Sequence, residues 1–467
     1  MTIGFHGAAR TVTGSKYLLT LKNGNKILLD CGMFQGMGPQ TDDLNHDWGF
    51  DPKEVSVLLL SHAHIDHSGL IPKLVKDGFN GKIFCTEATK DLTEILLYDS
   101  AEIQTYEVEY INKKRKAKNL AEYDPLYTSD DVAHALTHFQ KVDFETEFEP
   151  ISGVTAVLTN TGHLAGSAAI NLTIDEDGKK IRLCFSGDVG RSRSVLLPSP
   201  AEFPQADYII METTYGDKHH DIKFNTIKTI REWLEKTCIE KKGKLIIPAF
   251  SVGRTQEVLY AFNQLELEKR LPELHYFVDS PLSQKATDVL KKYTGDFNDR
   301  MQQVMSVDDD PFHFTGLKYV ESVEDSRRVA DYEEPCVIIS ASGTADAGRV
   351  RHHLKRVLSD EKNSVLFVGY CSDASLGGEL LNGAGTVELF GEDCAVKAEI
   401  GKMAGMSAHG DCDDLRKFLS CQDPEQVRKI FLVHGEYKVQ QEFAGRLQRK
   451  LFKNIEIPKQ HEEFEVH

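Results

Sequence analysis

Four side chains able to bind a metal fall within six positions of the stretch Ser61-His62-Ala63-His64-Ile65-Asp66-His67. Residues two apart in an extended chain point the same way, so His62 and His64 can offer both imidazoles to one cation. Asp66 and His67 follow a turn and are better placed to face a second cation beside the first. Neutral imidazole and carboxylate are the ligands zinc takes where its role is catalytic. The plainer reading is a polar loop with three surface histidines. It fails on cost, because such clustering at a strand end is unfavourable unless something binds there.

The flanking segments must position this stretch. Val55 to Leu60 is a short apolar run that predicts a buried strand ending at Ser61, and Ser68 to Lys76 predicts a helix. Upstream, Tyr17 to Leu21 and Lys26 to Asp30 flank Lys22-Asn23-Gly24-Asn25, a turn signal that predicts a hairpin. An Asp at a strand end is commonly a turn former. Beside the histidine cluster, Asp30 is a candidate to orient a metal ligand through a hydrogen bond.

Further along, strands are predicted at Lys82 to Thr86, Val154 to Thr159, Ile181 to Phe185 and Tyr208 to Met211. A long helix is expected over 89–119 and a capped one over Asp131 to Phe139. The basic run Lys113-Lys114-Arg115-Lys116 with Lys118 reads as a solvated helix end, or else a phosphate-contacting edge. His163 lies between Gly162 and Gly166 after a strand, where its ring can reach a neighbouring metal. Asp188, after Ser186-Gly187, is a natural bridging carboxylate, since an anion between two dications relieves their repulsion. His62, His64, His163 and Asp188 then make one ligand set.

The texture changes after Asp217. Residues 218–395 alternate helix and strand with a parallel-sheet rhythm, and polar loops follow the strands at 244–248, 275–278, 337–339 and 365–369. The last stretch returns to the first texture, with Ser407-Ala408-His409-Gly410-Asp411 opening a helix. A strand Ile430 to Val433 ends in His434-Gly435-Glu436, and a helix is expected over Val439 to Leu451.

The bulk numbers predict a soluble globular protein of two domains. The chain has 467 residues, 40% hydrophobic and 27% charged, with a formal net charge of −17. That balance speaks against broad, non-specific nucleic-acid binding but leaves room for a local basic groove. No apolar run is long enough for a membrane span, and the start lacks the pattern of a signal peptide. The nine cysteines form no Cys-x-x-Cys pair, which suggests reduced thiols and a cytoplasmic location.

In order along the chain, these residues resemble those of the metallo-β-lactamase fold hydrolases and, within them, the β-CASP nucleases. Asp30 matches the first motif, His62-Ala63-His64-Ile65-Asp66-His67 the second, His163 the third and Asp188 the fourth. Glu212 in Glu-Thr-Thr-Tyr-Gly-Asp, His409 in Ser-Ala-His-Gly-Asp and His434 in Val-His-Gly-Glu match the β-CASP signatures, and Ile247 to Arg254 is similar too. The chain departs from the pattern at Thr344, where Met is common, and at Gly378, where Arg is common. Loss of that Arg removes a planar anion-binding group.

The resemblance implies an α/β fold, a four-layer αββα sandwich with an inserted Rossmann-like parallel α/β β-CASP domain. The parts are expected at 1–210, 211–395 and 396–467. It also implies two Zn2+ ions. His62, His64 and His163 would hold the first, and Asp66, His67 and His434 the second, with Asp188 as bridge. Asp66, Glu212 and His409 are the candidate catalytic residues, His409 as general acid held by Glu212. Single-stranded RNA is the expected partner and internal cleavage the expected mode, since the chain stops soon after its last helix. DNA and a homodimer stay open, and no membrane partner is expected. Three rival readings remain: a metallo-hydrolase of a small ester, a non-catalytic scaffold paralogue, and a serine hydrolase using Ser251 in an elbow Ala249-Phe250-Ser251-Val252-Gly253.

Overall fold

Alternation along the central strands shows where two sheets meet. Tyr17, Leu19, Ile27 and Leu29 lie in the core shared with Ile170, Leu183, Ile210 and Phe431, whereas Leu18 and Leu28 belong to a separate cluster with Leu74, Leu97 and Val132. A period of two sends successive side chains to opposite faces, so each strand serves both an inter-sheet and a sheet–helix layer. Ile209 and Met211 do the same on the second sheet, packing with Leu415, Phe418 and Phe443. The outcome is a four-layer αββα sandwich. Truncating a side chain such as Leu28, fully buried, should cost about 2–5 kcal/mol.

The structure, a computed structural model, describes residues 1–220, 226–373, 375–403 and 405–467. The chain divides into two compact units, Met1–His219 with His409–His467, and His220–Ala408. The changeovers fall at 219/220 and 408/409, where the sequence suggested 210/211 and 395/396. Strand Tyr208–Glu212 is a fully buried member of a sandwich sheet, in parallel register with Lys429–Val433. Its hydrogen bonds therefore carry the first unit past 210.

Each sheet of the first unit has seven strands. One runs Glu462–Glu465, Thr2–Phe5, Tyr17–Thr20, Lys26–Leu29, Val57–Leu59, Lys82–Cys85, Phe139–Lys141. The other runs Ile455–Glu456, Lys429–Val433, Tyr208–Glu212, Lys179–Phe185, Ala168–Glu176, Val154–Asn160, Phe148–Ile151.

Two local differences from expectation have simple causes. The helix expected over Ser68 to Lys76 is two helices, Ile65–Ser68 and Ile71–Lys76, because Pro72 has no N–H to continue the first. The helix expected to reach Phe139 is Ser129–Leu136, capped by a reciprocal Thr128–Asp131 box. Phe139 instead opens an edge strand beside Ile83–Cys85.

The second unit holds a six-stranded sheet ordered Leu317–Tyr319, His275–Asp279, Cys336–Ser340, Leu245–Pro248, Ser364–Phe367, Glu399–Lys402. All its pairings are parallel. Cys336–Ser340 is buried throughout, as expected for a strand covered on both faces. Gly253, at φ 86°, turns the chain from strand Leu245–Pro248 into helix Arg254–Leu267. The Ser251 hydroxyl in that turn pairs with Ser280 Oγ at 3.2 Å, and no histidine among the described residues is hydrogen-bonded to it, as a serine nucleophile would require.

Candidate metal centre

Strand Val57–Leu59 delivers Ser61, and His62 to His64 continue in extended form until His64 caps the short helix Ile65–Ser68. His62 Nε2 and His64 Nδ1 come within 3.2 Å, and His163 Nε2 lies 3.1 Å from His64 Nδ1. Asp188 Oδ2 is 3.4 Å from both His62 Nε2 and His163 Nε2. A tetrahedral zinc with bonds of about 2.0–2.2 Å holds its ligand atoms at roughly this spacing. Asp66, His67 and His434 form a second group, with Asp66 Oδ2 3.3 Å from His434 Nε2. Asp188 reaches this group through its other oxygen, Oδ1, 3.3 Å from His67 Nε2. All seven residues expected as ligands thus converge, from loops at the ends of both sheets.

Second partners fix which ring nitrogen faces inward. His67 Nδ1 donates to Asp30 Oδ2 at 2.6 Å, and Asp30 also accepts from the Ser61 amide and hydroxyl, each at 2.7 Å. With its proton given to Asp30, the Ser61 hydroxyl is left to accept from His62 Nδ1 at 3.0 Å. Both imidazoles therefore turn Nε2 toward the centre. Thr214 Oγ1 sits 3.0 Å from His434 Nδ1 and donates to the His434 carbonyl. The hydroxyls of Ser61 and Thr214 were not singled out in the sequence. The only signal for either was its place beside a motif residue.

The electrostatics call for cations. Asp30, Asp188 and Glu212 are buried, and each pairs with histidine: Asp30 with His67, Asp188 with His62, His67 and His163, and Glu212 with His409. Burial, with His67 nearby, lowers the His62 imidazole to about 3, and burial lowers His64 to about 4, so both stay neutral, the form in which an imidazole can bind a metal. Burial opposes ionisation of Asp188, yet the surrounding histidines hold it well below the usual carboxylate range. His67 Nε2 and Asp188 Oδ1 are buried and, beyond their mutual approach at 3.3 Å, neither has a hydrogen-bond partner among the described residues. Unpaired buried atoms in an anionic pocket are costly, and a cation satisfies both. The donor set fits zinc.

Beside this centre, His409 Nδ1 lies 3.1 Å from Glu212 Oε1 and 3.8 Å from Asp188 Oδ2. Burial would lower the imidazole, but the charges of Glu212 and Asp188 outweigh it and raise it to about 9. The basic run at 113–118 is elsewhere, on the exposed end of helix Glu87–Lys116, with Lys114 Nζ over the Tyr110 ring at 4.2 Å.

Comparison with known proteins finds matches along most of the chain. Residues 10–248 match the Metallo-beta-lactamase superfamily, residues 255–380 the Beta-Casp domain, and residues 393–458 the Zn-dependent metallo-hydrolase RNA specificity domain. The chain is 35% identical to Ribonuclease TTHA0252 of Thermus thermophilus over 92% of each chain. It is 30% identical to an RNase J-like protein of Methanocaldococcus jannaschii, covering 97% of this chain and 96% of that one. With Transcription termination factor FttA of the same organism it shares 29% identity over 98% of this chain and 70% of that one. On these matches and on its fold, the chain belongs to the metallo-beta-lactamase superfamily, in the branch with an inserted Beta-Casp domain.

Proposed function

We propose that this protein is a zinc-dependent endoribonuclease that hydrolyses phosphodiester bonds within single-stranded RNA. The observation that carries the reading is the pair of ligand sets sharing Asp188, with the Glu212–His409 pair alongside. His62, His64, His163 and Asp188 would hold one zinc, and Asp66, His67, His434 and Asp188 the other. Bound there, the two ions would supply Lewis acidity to a phosphoryl oxygen and lower the pKa of water.

The chain's own residues do the rest. Asp30 and Ser61 hold His67 and His62 in the tautomers that face the centre. Glu212 is itself fixed, accepting from the Val189 amide at 2.8 Å and the Thr214 amide at 2.9 Å, so it keeps His409 aimed and charged. A charged His409 bonds Glu212 through Nδ1 and carries a second proton on Nε2, which it gives to the leaving ribose oxygen as the P–O bond breaks.

Support for RNA comes from the names of the relatives and from the second unit. Phe250 and Tyr370 stand exposed at the carboxyl ends of parallel strands, Phe250 against Gly343 and Gly369. Ligands bind at such strand ends, and exposed rings there offer stacking faces to bases.

The test is metal-replete protein incubated with 5′- and 3′-labelled RNA and DNA, single- and double-stranded. Internal cuts in single-stranded RNA are expected. Hydrolysis of a simple ester with none of RNA would point to a small-ester hydrolase, and preference for DNA would move the substrate class.

A further inference from the structure

A second cluster of ligand-type side chains lies apart from the hydrolytic centre, within the first unit. His219 Nδ1 is 3.0 Å from Asp413 Oδ2, and Cys412 Sγ is 3.5 Å from both ring nitrogens of His219. One donor atom from each of the three lies within 4.8 Å of the others. We propose that His219, Cys412 and Asp413 form an additional site for a zinc-class transition-metal ion, separate from the two-ion centre and structural in role.

The spacing suits such an ion. Bonds of about 2.3 Å to sulfur and about 2.0–2.1 Å to imidazole put sulfur and nitrogen roughly 3.5 Å apart in a tetrahedron. The chemistry suits it too: one thiolate, one imidazole and one carboxylate are ligands that zinc accepts together, and the two anions neutralise a dication. The exposed imidazole and carboxylate give the ion access, while the buried sulfur anchors the site. Solvent can supply a fourth ligand.

Two features hold the cluster together before any ion arrives. The Cys412 amide donates to the Lys218 carbonyl at 3.1 Å, so the residue before His219 is already bonded to Cys412. Arg446 places Nη1 3.5 Å from Cys412 Sγ and donates through Nη2 to the Asp217 carbonyl at 2.9 Å. Its charge favours the thiolate, which is the form that binds metal. Burial pushes the thiol up, so loading must release a proton. His219 is the last residue of the first unit before the chain leaves it, and Cys412 follows shortly after the chain returns at His409. An ion here clips the departing chain to the returning one.

Sulfur makes the site separately visible, because none of the seven residues of the two-ion centre is a cysteine. The protein is stripped with a chelator and reloaded with Co2+. A thiolate-to-cobalt charge-transfer band in the near ultraviolet is expected, with three metal ions per chain by elemental analysis. Cys412→Ser should abolish the band and remove one ion while RNA hydrolysis persists. Asp413→Asn, an exposed change that leaves the packing alone, should weaken binding of one ion by about 10-fold or more. Absence of the band in the wild type, or a band and ion count unchanged in Cys412→Ser, would show the cluster to be an ion pair with a thiol beside it. If hydrolysis fails but the band is present and lost in Cys412→Ser, the proposed nuclease function falls and this site stands.

Discussion

Glu212 and His409 are 197 residues apart in sequence and 3.1 Å apart in space, joined through Oε1 and Nδ1. Glu212 is buried at the end of a strand, while the His409 side chain keeps 20% of its surface exposed. The carboxylate is thus shielded from solvent and the imidazole can meet a substrate. His409→Ala should lower RNA turnover by about 10²–10⁴-fold, the usual range for a general acid. Metal content should not change. A nitrophenolate leaves without a proton, so a nitrophenyl phosphodiester should recover most of the loss. Equal defects on both substrates would remove His409 from the role of acid.

Asp188 touches both ligand sets, through Oδ2 to His62 and His163 and through Oδ1 to His67. In a Cys412→Ser background, elemental analysis should find two zinc ions per chain. Asp188→Ala should reduce occupancy of both positions, whereas His434→Ala should empty one. A single ion after full reconstitution of that background would refute the paired centre.

Asp30 accepts three hydrogen bonds, two from Ser61 and one from His67. Asp30→Asn keeps the shape but gives His67 an uncharged partner and disturbs its tautomer. Zinc affinity at the His67 position is expected to fall by about 10–100-fold, the typical cost of losing a group that orients a metal ligand. Competition with a chromophoric chelator reads this directly. Unchanged affinity would make Asp30 a turn former only.

Internal cleavage needs no chain end. A circular single-stranded RNA should be cut at a rate similar to a linear one of the same sequence. The rate should fall with added salt, because phosphate contacts release counterions on binding. If the circle survives while a linear 5′-monophosphate RNA is degraded to mononucleotides, the endonuclease assignment is wrong.

Phe250 is 41% exposed and rests against glycine backbone, so its loss should disturb little of the fold. Phe250→Ala is expected to weaken binding of single-stranded RNA to the metal-free protein by about 1–3 kcal/mol, the worth of one stacked base. Fluorescence anisotropy measures this. Hydrolysis of a nitrophenyl phosphodiester should stay at the wild-type rate, and equal loss in both assays would argue against stacking.

Backbone periodicity governs part of the centre, and that part is legible in the amino-acid order. His62 and His64 share a direction because alternate residues of an extended chain must, and the strand before them was plain from its apolar run. The order of Asp30, His163, Asp188, Glu212, His409 and His434 gave the family and the expected ligand set. What depends on distant elements meeting is set by the folded chain. Ser61 and Thr214 earned their roles from partners 31 and 220 residues away, Asp30 and His434, and a hydroxyl carries no sign in sequence of what it will face. The break at Pro72 has a local cause, the missing N–H, whereas the strand at Phe139 depends on its neighbour Ile83–Cys85. His219 and Cys412, 193 residues apart, look unremarkable in sequence. Their contact exists because the chain leaves the first unit and returns to it at nearly the same place.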